Sequence, residues 1–155
     1  MIQVLLVEDD PMARQLLEIY VNKSETYELA GSVESALFAE VFCRTHPVDV
    51  ILMDVCTAMN ANGIDAAQDI KKHLPKIKII IITSQPECSF IERAREAGVD
   101  SFWYKDASNG ELLAVMDRTM DGEHFFPEKT PEVRLGLTTS YELTSSELEV
   151  LRALM

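Results

Sequence analysis

Two apolar runs in this chain stop abruptly at acids. Residues 2–7 end at Glu8, Asp9 and Asp10, and residues 48–53 end at Asp54. Near-continuous Val, Ile and Leu segments are the mark of strands buried in a parallel sheet, so acids that follow them stand at the mouth of that sheet. If the two strands are neighbours, Glu8, Asp9 and Asp54 share one crevice, where their charges repel unless a cation or protons join them. Carboxylate oxygens without His or thiolate among them favour a hard divalent ion, Mg²⁺ or Ca²⁺. Asp10, directly before Pro11, reads instead as a helix cap. Thr83 and Lys105 fall at the ends of two further strand-like runs, on the same side of the expected sheet.

Strand and helix patterns alternate from the first residue. The strand over 2–7 is followed by a helix carrying Met12, Leu16, Leu17 and Ile19 at helical spacing. A short strand over 27–30 leads to a helix over 34–45 with Leu37, Val41 and Phe42. The strand over 48–53 is followed by a loop over 55–63 and a helix over 64–74, stopped by Pro75. Next come a strand over 77–82 and a helix over 87–97, ended by Gly98 as a left-handed terminator. In the strand over 101–104, Phe102 and Trp103 alternate and point to opposite faces. Ser108-Asn109-Gly110-Glu111 matches a capping box and opens a last helix to about 120, with Leu112, Leu113, Val115 and Met116 inward. Such alternation implies a doubly wound α/β fold, a five-stranded parallel sheet with five helices. Its common strand order is 2-1-3-4-5, with the ligand crevice beyond the first and third strands. The acids belong there.

The chain has 155 residues and a net charge of −12, which opposes a nucleic-acid surface on this stretch. Cys43, Cys56 and Cys88 are odd in number and lack CxxC spacing, so neither a disulfide framework nor a zinc site is expected. His46, His73 and His124 read as surface residues, and Lys71, Lys72, Lys76 and Lys78 as a solvated basic face. No apolar stretch is long enough for a membrane span, and the start leaves no room for a signal peptide, so a cytoplasmic protein without membrane partners is expected. Helical periodicity fails from His124 to Tyr141, where Pro127, Pro131 and Gly136 suggest a linker. Thr144-Ser145-Ser146-Glu147 is a second capping box, followed by Leu148, Val150, Leu151 and Leu154 up to the final Met155. The expectation is a fragment cut just after a second domain begins.

The segments Val7-Glu8-Asp9, Met53-Asp54, Ile82-Thr83-Ser84 and Tyr104-Lys105, at these separations, resemble the receiver domain of a two-component response regulator. The resemblance covers residues 1–122 and implies a flavodoxin-like fold. It implies that Asp54 accepts a phosphoryl group from a sensor histidine kinase, forming an acyl phosphate. Glu8, Asp9, Asp54 and the backbone carbonyl of Cys56 would hold Mg²⁺ or Mn²⁺, and Lys105 would supply a second positive charge. Thr83 would hydrogen-bond the phosphoryl group while Phe102 turns into the space vacated, a two-state switch. Cys56 and Gln85 stand where family members tune hydrolysis of the acyl phosphate. A protein of this kind is a phosphoacceptor that assists its own phosphorylation and dephosphorylation rather than an enzyme. Residues 143–151, Leu-Thr-Ser-Ser-Glu-Leu-Glu-Val-Leu, resemble the first helix of the LuxR-type helix-turn-helix of NarL/FixJ-type regulators. That implies a linker over 123–142, the first helix of a DNA-binding domain over 143–155, homodimerisation on phosphorylation, and DNA contact only through residues beyond this stretch.

Two departures stand out. The loop between Asp54 and Gly63 lacks the usual Pro and is longer by one residue, which implies a more mobile metal-side loop, and Asp106 follows Lys105 where Pro is common. Other readings are a stand-alone phosphorylation-controlled protein-interaction module and an aspartyl-phosphate phosphatase. Phosphatase chemistry usually needs an acid two residues after the nucleophile, and Cys56 occupies that position. A flavodoxin-like cofactor binder is disfavoured because Glu8 and Asp9 would repel a phosphate.

Overall fold

The computed structural model describes residues 1–84, 88–105 and 111–127. Five parallel strands, β1 (Ile2–Val7), β2 (Tyr27–Val33), β3 (Val50–Asp54), β4 (Lys78–Thr83) and β5 (Ser101–Tyr104), form one sheet in the order β2-β1-β3-β4-β5. The helices are α1 (Pro11–Asn22), α2 (Ala39–Thr45), α3 (Gly63–His73), α4 (Cys88–Ala97) and α5 (Leu112–Met120). The sheet order and helix count are those expected from the alternation.

Period-two alternation divides the core into two layers. Leu5, Val7, Ile51, Met53, Ile79, Ile81, Phe102 and Tyr104 face Ala39 of α2, Ile64, Ala67 and Ile70 of α3, and Phe90, Ile91 and Ala94 of α4. Val4, Leu6, Val50, Leu52, Ile80, Ile82 and Trp103 face Val21 of α1 and Leu112, Val115 and Met116 of α5. Phe102 and Trp103 therefore lie on opposite faces, as expected.

Several local expectations change. β2 runs through Gly31 and Ser32 to Val33, because a register shift between Val4 and Leu5 of β1 absorbs the irregularity. The segment before α2 is a 3₁₀ turn, Ala36–Phe38, capped by Ser35. Leu37 and Val41 are exposed, so small Ala36 and Ala39 carry the inward contact instead. Glu111 is the N-cap of α5 and makes no side-chain cap bond. The helix thus begins later than the capping box implies, and Ser108 lies outside the described residues. The Tyr20 hydroxyl instead accepts the Leu113 N–H, 3.3 Å, tying α1 to α5. Asp10 and Gly98 behave as expected: Asp10 Oδ2 accepts the Ala13 N–H at 2.9 Å, and Gly98 takes φ +88 after α4.

Lys71 is not part of a solvated face. It is mostly buried and donates to Asp100 Oδ2 at 3.0 Å and to the Ile77 carbonyl at 2.9 Å, joining α3 to the starts of β4 and β5. Residues just beyond α5 also dock on the sheet. The Phe102 N–H donates to the Phe125 carbonyl at 2.8 Å, the Phe125 N–H donates to Ser101 Oγ at 3.1 Å, and His124 Nδ1 lies 2.9 Å from the Asp100 carbonyl. Phe125 packs on one layer and Phe126 on the other, straddling the edge strand β5. The rest of the expected linker and the helix over 143–155 lie outside the described residues.

Candidate functional site

β1 and β3 are hydrogen-bonded neighbours, with Val7 opposite Met53, so the residues that follow them emerge side by side. Glu8, Asp9 and Asp54 each offer a carboxylate oxygen, and these oxygens all lie within 4.8 Å of one another. Glu8 and Asp54 are buried and Asp9 is exposed, so the cluster opens to solvent on one side. The sheet order alone brings together acids that are far apart in the chain.

Lys105 enters from the end of β5. Its ammonium lies 3.1 Å from Asp54 Oδ2 and also ion-pairs with Glu8 Oε1. The Lys105 N–H donates to the Thr83 carbonyl at 2.9 Å, continuing the β4–β5 pairing one step beyond the strands. Glu8 Oε2 accepts the Asp10 N–H at 3.2 Å, and Asp54 Oδ1 accepts the Val55 N–H at 2.7 Å. Burial pushes the Asp54 carboxyl up to about 6, against the pull of the Lys105 ammonium and with the Glu8 charge adding to the rise. Burial by itself disfavours the Lys105 ammonium, but its bond to Glu8 and the adjacent carboxylate charges prevail and hold its pKa above the ordinary lysine value. Three acids against one lysine leave an excess of negative charge. That donor set of hard oxygens suits a small divalent cation, which Glu8, Asp9 and Asp54 would hold.

Thr83, at the end of β4, is buried, and Phe102 is fully buried opposite Ile81 of β4. Cys56 is exposed at the start of the loop after Asp54. Gln85 and Asp106 lie outside the described residues.

The loop after Asp54 differs from its expectation of looseness. Cys56 pairs with Asn62 and Thr57 with Ala61 in a short antiparallel ladder. Its turn places two consecutive residues in the left-handed region, Met59 at φ 64 and Asn60 at φ 59, with the Ala61 N–H bonded to the Ala58 carbonyl. That is the conformation of a tight hairpin turn, usually built from Asn and Gly. The additional residue is accommodated as a hairpin.

Three positioning residues in this loop were not singled out from the sequence. Thr57 Oγ1 donates to the Ala61 carbonyl at 3.0 Å and accepts the Ala36 N–H at 2.9 Å. Asn62 Oδ1 caps α3 by accepting the Ile64 N–H at 2.8 Å and the Asp65 N–H at 3.1 Å. Gly63 donates its N–H to the Val55 carbonyl at 2.7 Å and passes directly under the backbone of Asp54. Asn62 followed three residues later by Asp65 is the available sequence signal for the cap. No such local signal exists for Thr57.

The chain is similar to known proteins. Response regulator protein VraR from Staphylococcus epidermidis is 33% identical over 157 residues, spanning 97% of this chain and 74% of the relative. VraR from Staphylococcus aureus is 34% identical over the same shares. The crystal structure of a LuxR family DNA-binding response regulator from Silicibacter pomeroyi superposes with a TM-score of 0.70 at 26% identity, covering 83% of this chain and 98% of that one. The model of the response regulator receiver domain matches residues 4–117. The chain belongs to the response regulator receiver domain family, and is a receiver of two-component signalling with relatives among the LuxR-family regulators.

Proposed function

We propose that Asp54 is the phosphoacceptor of this receiver. Supporting this is the position of Asp54 between a lysine ammonium and two further carboxylates, at the carboxyl end of a central strand. An Asp54 carboxylate oxygen attacks the phosphorus of a phosphohistidine on a sensor histidine kinase. The P–N bond breaks, its electron pair returns to the imidazole, and a mixed anhydride forms on Asp54. Glu8, Asp9, Asp54 and the Cys56 carbonyl would hold a magnesium or manganese ion, which would offset charge on the transferring group. Lys105, already paired with Asp54 and Glu8, supplies a fixed positive charge at the site. Thr83 bonds a phosphoryl oxygen, and Phe102 follows the loop after β4 as the site contracts. Cys56 and Gln85 set how fast water reaches the anhydride. The domain is therefore a phosphoacceptor that assists its own phosphorylation and the later hydrolysis of the anhydride.

Phosphorylation favours a homodimer, and the stretch 123–142, whose first residues dock on β5, leads to a LuxR-type DNA-binding domain that begins at 143–155. A neighbour of the same fold at 18% identity is described as RcsB dimers bound to DNA. No helix among the described residues is long and apolar enough to cross a membrane, in keeping with a cytoplasmic location. Incubation with acetyl phosphate and Mg²⁺ followed by intact mass tests the central step. One added phosphoryl group that disappears in Asp54→Ala supports it, while no adduct on the wild-type protein, or an adduct that survives the substitution, rejects it.

A further inference from the structure

The structure assigns Thr57 a positioning role for the divalent-cation site, an inference that rests on the receiver reading above. The loop between Asp54 and Gly63 contains no proline to restrict its backbone. Hydrogen bonds hold this loop instead. Thr57 is buried, and its hydroxyl is engaged both as donor to Ala61 and as acceptor from Ala36. One oxygen thereby ties the two arms of the hairpin to each other and to the 3₁₀ turn that leads into α2. A backbone bond from the Ala58 N–H to the Glu34 carbonyl, 3.0 Å, reinforces the same junction. Without the hydroxyl, the Ala36 N–H and the Ala61 carbonyl lose these partners, while the Ala58–Glu34 bond remains.

The consequence reaches the metal through geometry. Residues 55 and 56 connect Asp54 to Thr57, so fixing Thr57 fixes the direction in which the chain leaves Asp54 and presents the carbonyl of Cys56. A small cation with strict octahedral demands is sensitive to such placement, and outer partners of ligands commonly contribute tenfold or more to affinity. Valine keeps the shape of threonine without the hydroxyl, whereas serine keeps the hydroxyl without the methyl group. The inference expects Thr57→Val to bind Mg²⁺ about tenfold more weakly than wild type and Thr57→Ser to bind within about twofold, in calorimetric titration of the full chain.

Coupling of this kind is reciprocal, which gives a test in the unmodified protein. Saturating Mg²⁺ slows hydrogen exchange at the Ala36 amide by about tenfold, although that amide belongs to the 3₁₀ turn and is not a ligand. Wild-type affinity in Thr57→Val, an equal loss in both variants, or unchanged Ala36 exchange overturns the role of the hydroxyl. If Thr57→Val does not fold, the exchange measurement decides alone. Absence of any Mg²⁺ response in the wild-type protein overturns the metal reading itself, and is thereby distinguishable from failure of the Thr57 inference.

Discussion

Gly63 lies against the backbone carbonyl of Asp54: a β-carbon at Gly63 would fall 1.9 Å from that oxygen and 2.8 Å from Cγ of Met53. Gly63 is also the first residue of α3, and its N–H holds the Val55 carbonyl. The helix therefore starts directly beneath the end of β3, and the absence of a side chain is what permits the approach.

Gly63→Ala tests that contact through the sign of its effect. In an ordinary helix the exchange stabilises by roughly 0.5–1 kcal/mol, because alanine loses less backbone freedom. Here the added methyl meets backbone rather than a flexible side chain, so overpacking of about 1–3 kcal/mol dominates. The variant should unfold at lower urea concentration than wild type, and should accept phosphate more slowly because Asp54 is displaced. A stabilised Gly63→Ala would show that the strand and helix can separate without cost.

Asp54→Asn should stabilise the protein at neutral pH in the absence of divalent ions. Burial raises the Asp54 carboxyl to about 6 from an ordinary value of 3.8. A raised pKa means that the folded state prefers the protonated form, so its contribution is fully present below about 4 and is lost as pH rises through about 6. Above that range the wild type bears the cost of a buried carboxylate, on the order of 3 kcal/mol, which asparagine avoids. Urea titrations in EDTA should show the variant's advantage growing from about pH 4 to about pH 6 and levelling off above that. Added Mg²⁺ should reverse the order, because only the wild type gains fully from mass action on the folded state. An advantage independent of pH would mean that Asp54 ionisation is not its source.

Lys105→Met removes an ammonium paired with both buried acids. Breaking a buried pair by deleting one partner commonly costs about 3–5 kcal/mol, and exposure of the cluster on the Asp9 side places this case at the lower end. Methionine retains the length and apolar stem, so the loss reports on charge. Mg²⁺ should recover most of the stability and bind more tightly than to wild type, since the competing ammonium is gone. Weaker Mg²⁺ binding in Lys105→Met, measured by calorimetry, would mean that lysine helps to organise the acids rather than competing for them.

The sheet was legible in the sequence because strands buried on both faces form continuous apolar runs, and the acids stood out because charge at the end of such a run is rare. Lys105 and Glu8 meet across 97 positions only because β1, β3, β4 and β5 adopt the expected order. Helix faces were less legible. Met12, Leu16 and Ile19 on α1 and Leu37 and Val41 near α2 follow helical spacing but are exposed, so apolar periodicity located the helices without identifying their inward sides. The hairpin after Asp54 gave no local sign, since Met59 and Asn60 adopt left-handed backbone without glycine. Lys71 was misread for a different reason: its partner Asp100 lies 29 residues away, and short-range charge patterning cannot see it.

The folding unit should extend to Pro127 rather than stop at Gly122. Composition places the start of a linker at 123, yet His124, Phe125 and Phe126 occupy the edge of β5, and Phe102 on that strand gives its N–H to Phe125. Arg95 lies over the Phe126 ring at 4.5 Å and Arg118 over Phe125 at 5.6 Å, so each aromatic ring is held between the core and a cation. Loss of a partly buried phenylalanine costs about 2–3 kcal/mol, below the 3–5 kcal/mol of full burial. A protein ending at residue 122 should therefore be several kcal/mol less stable than one ending at 127, with the difference concentrated in faster amide exchange along β5. Trp103, the single tryptophan, sits on that strand and gives a fluorescence reading of the same transition. Equal stability of the two lengths would mean that the edge contacts contribute nothing to the fold.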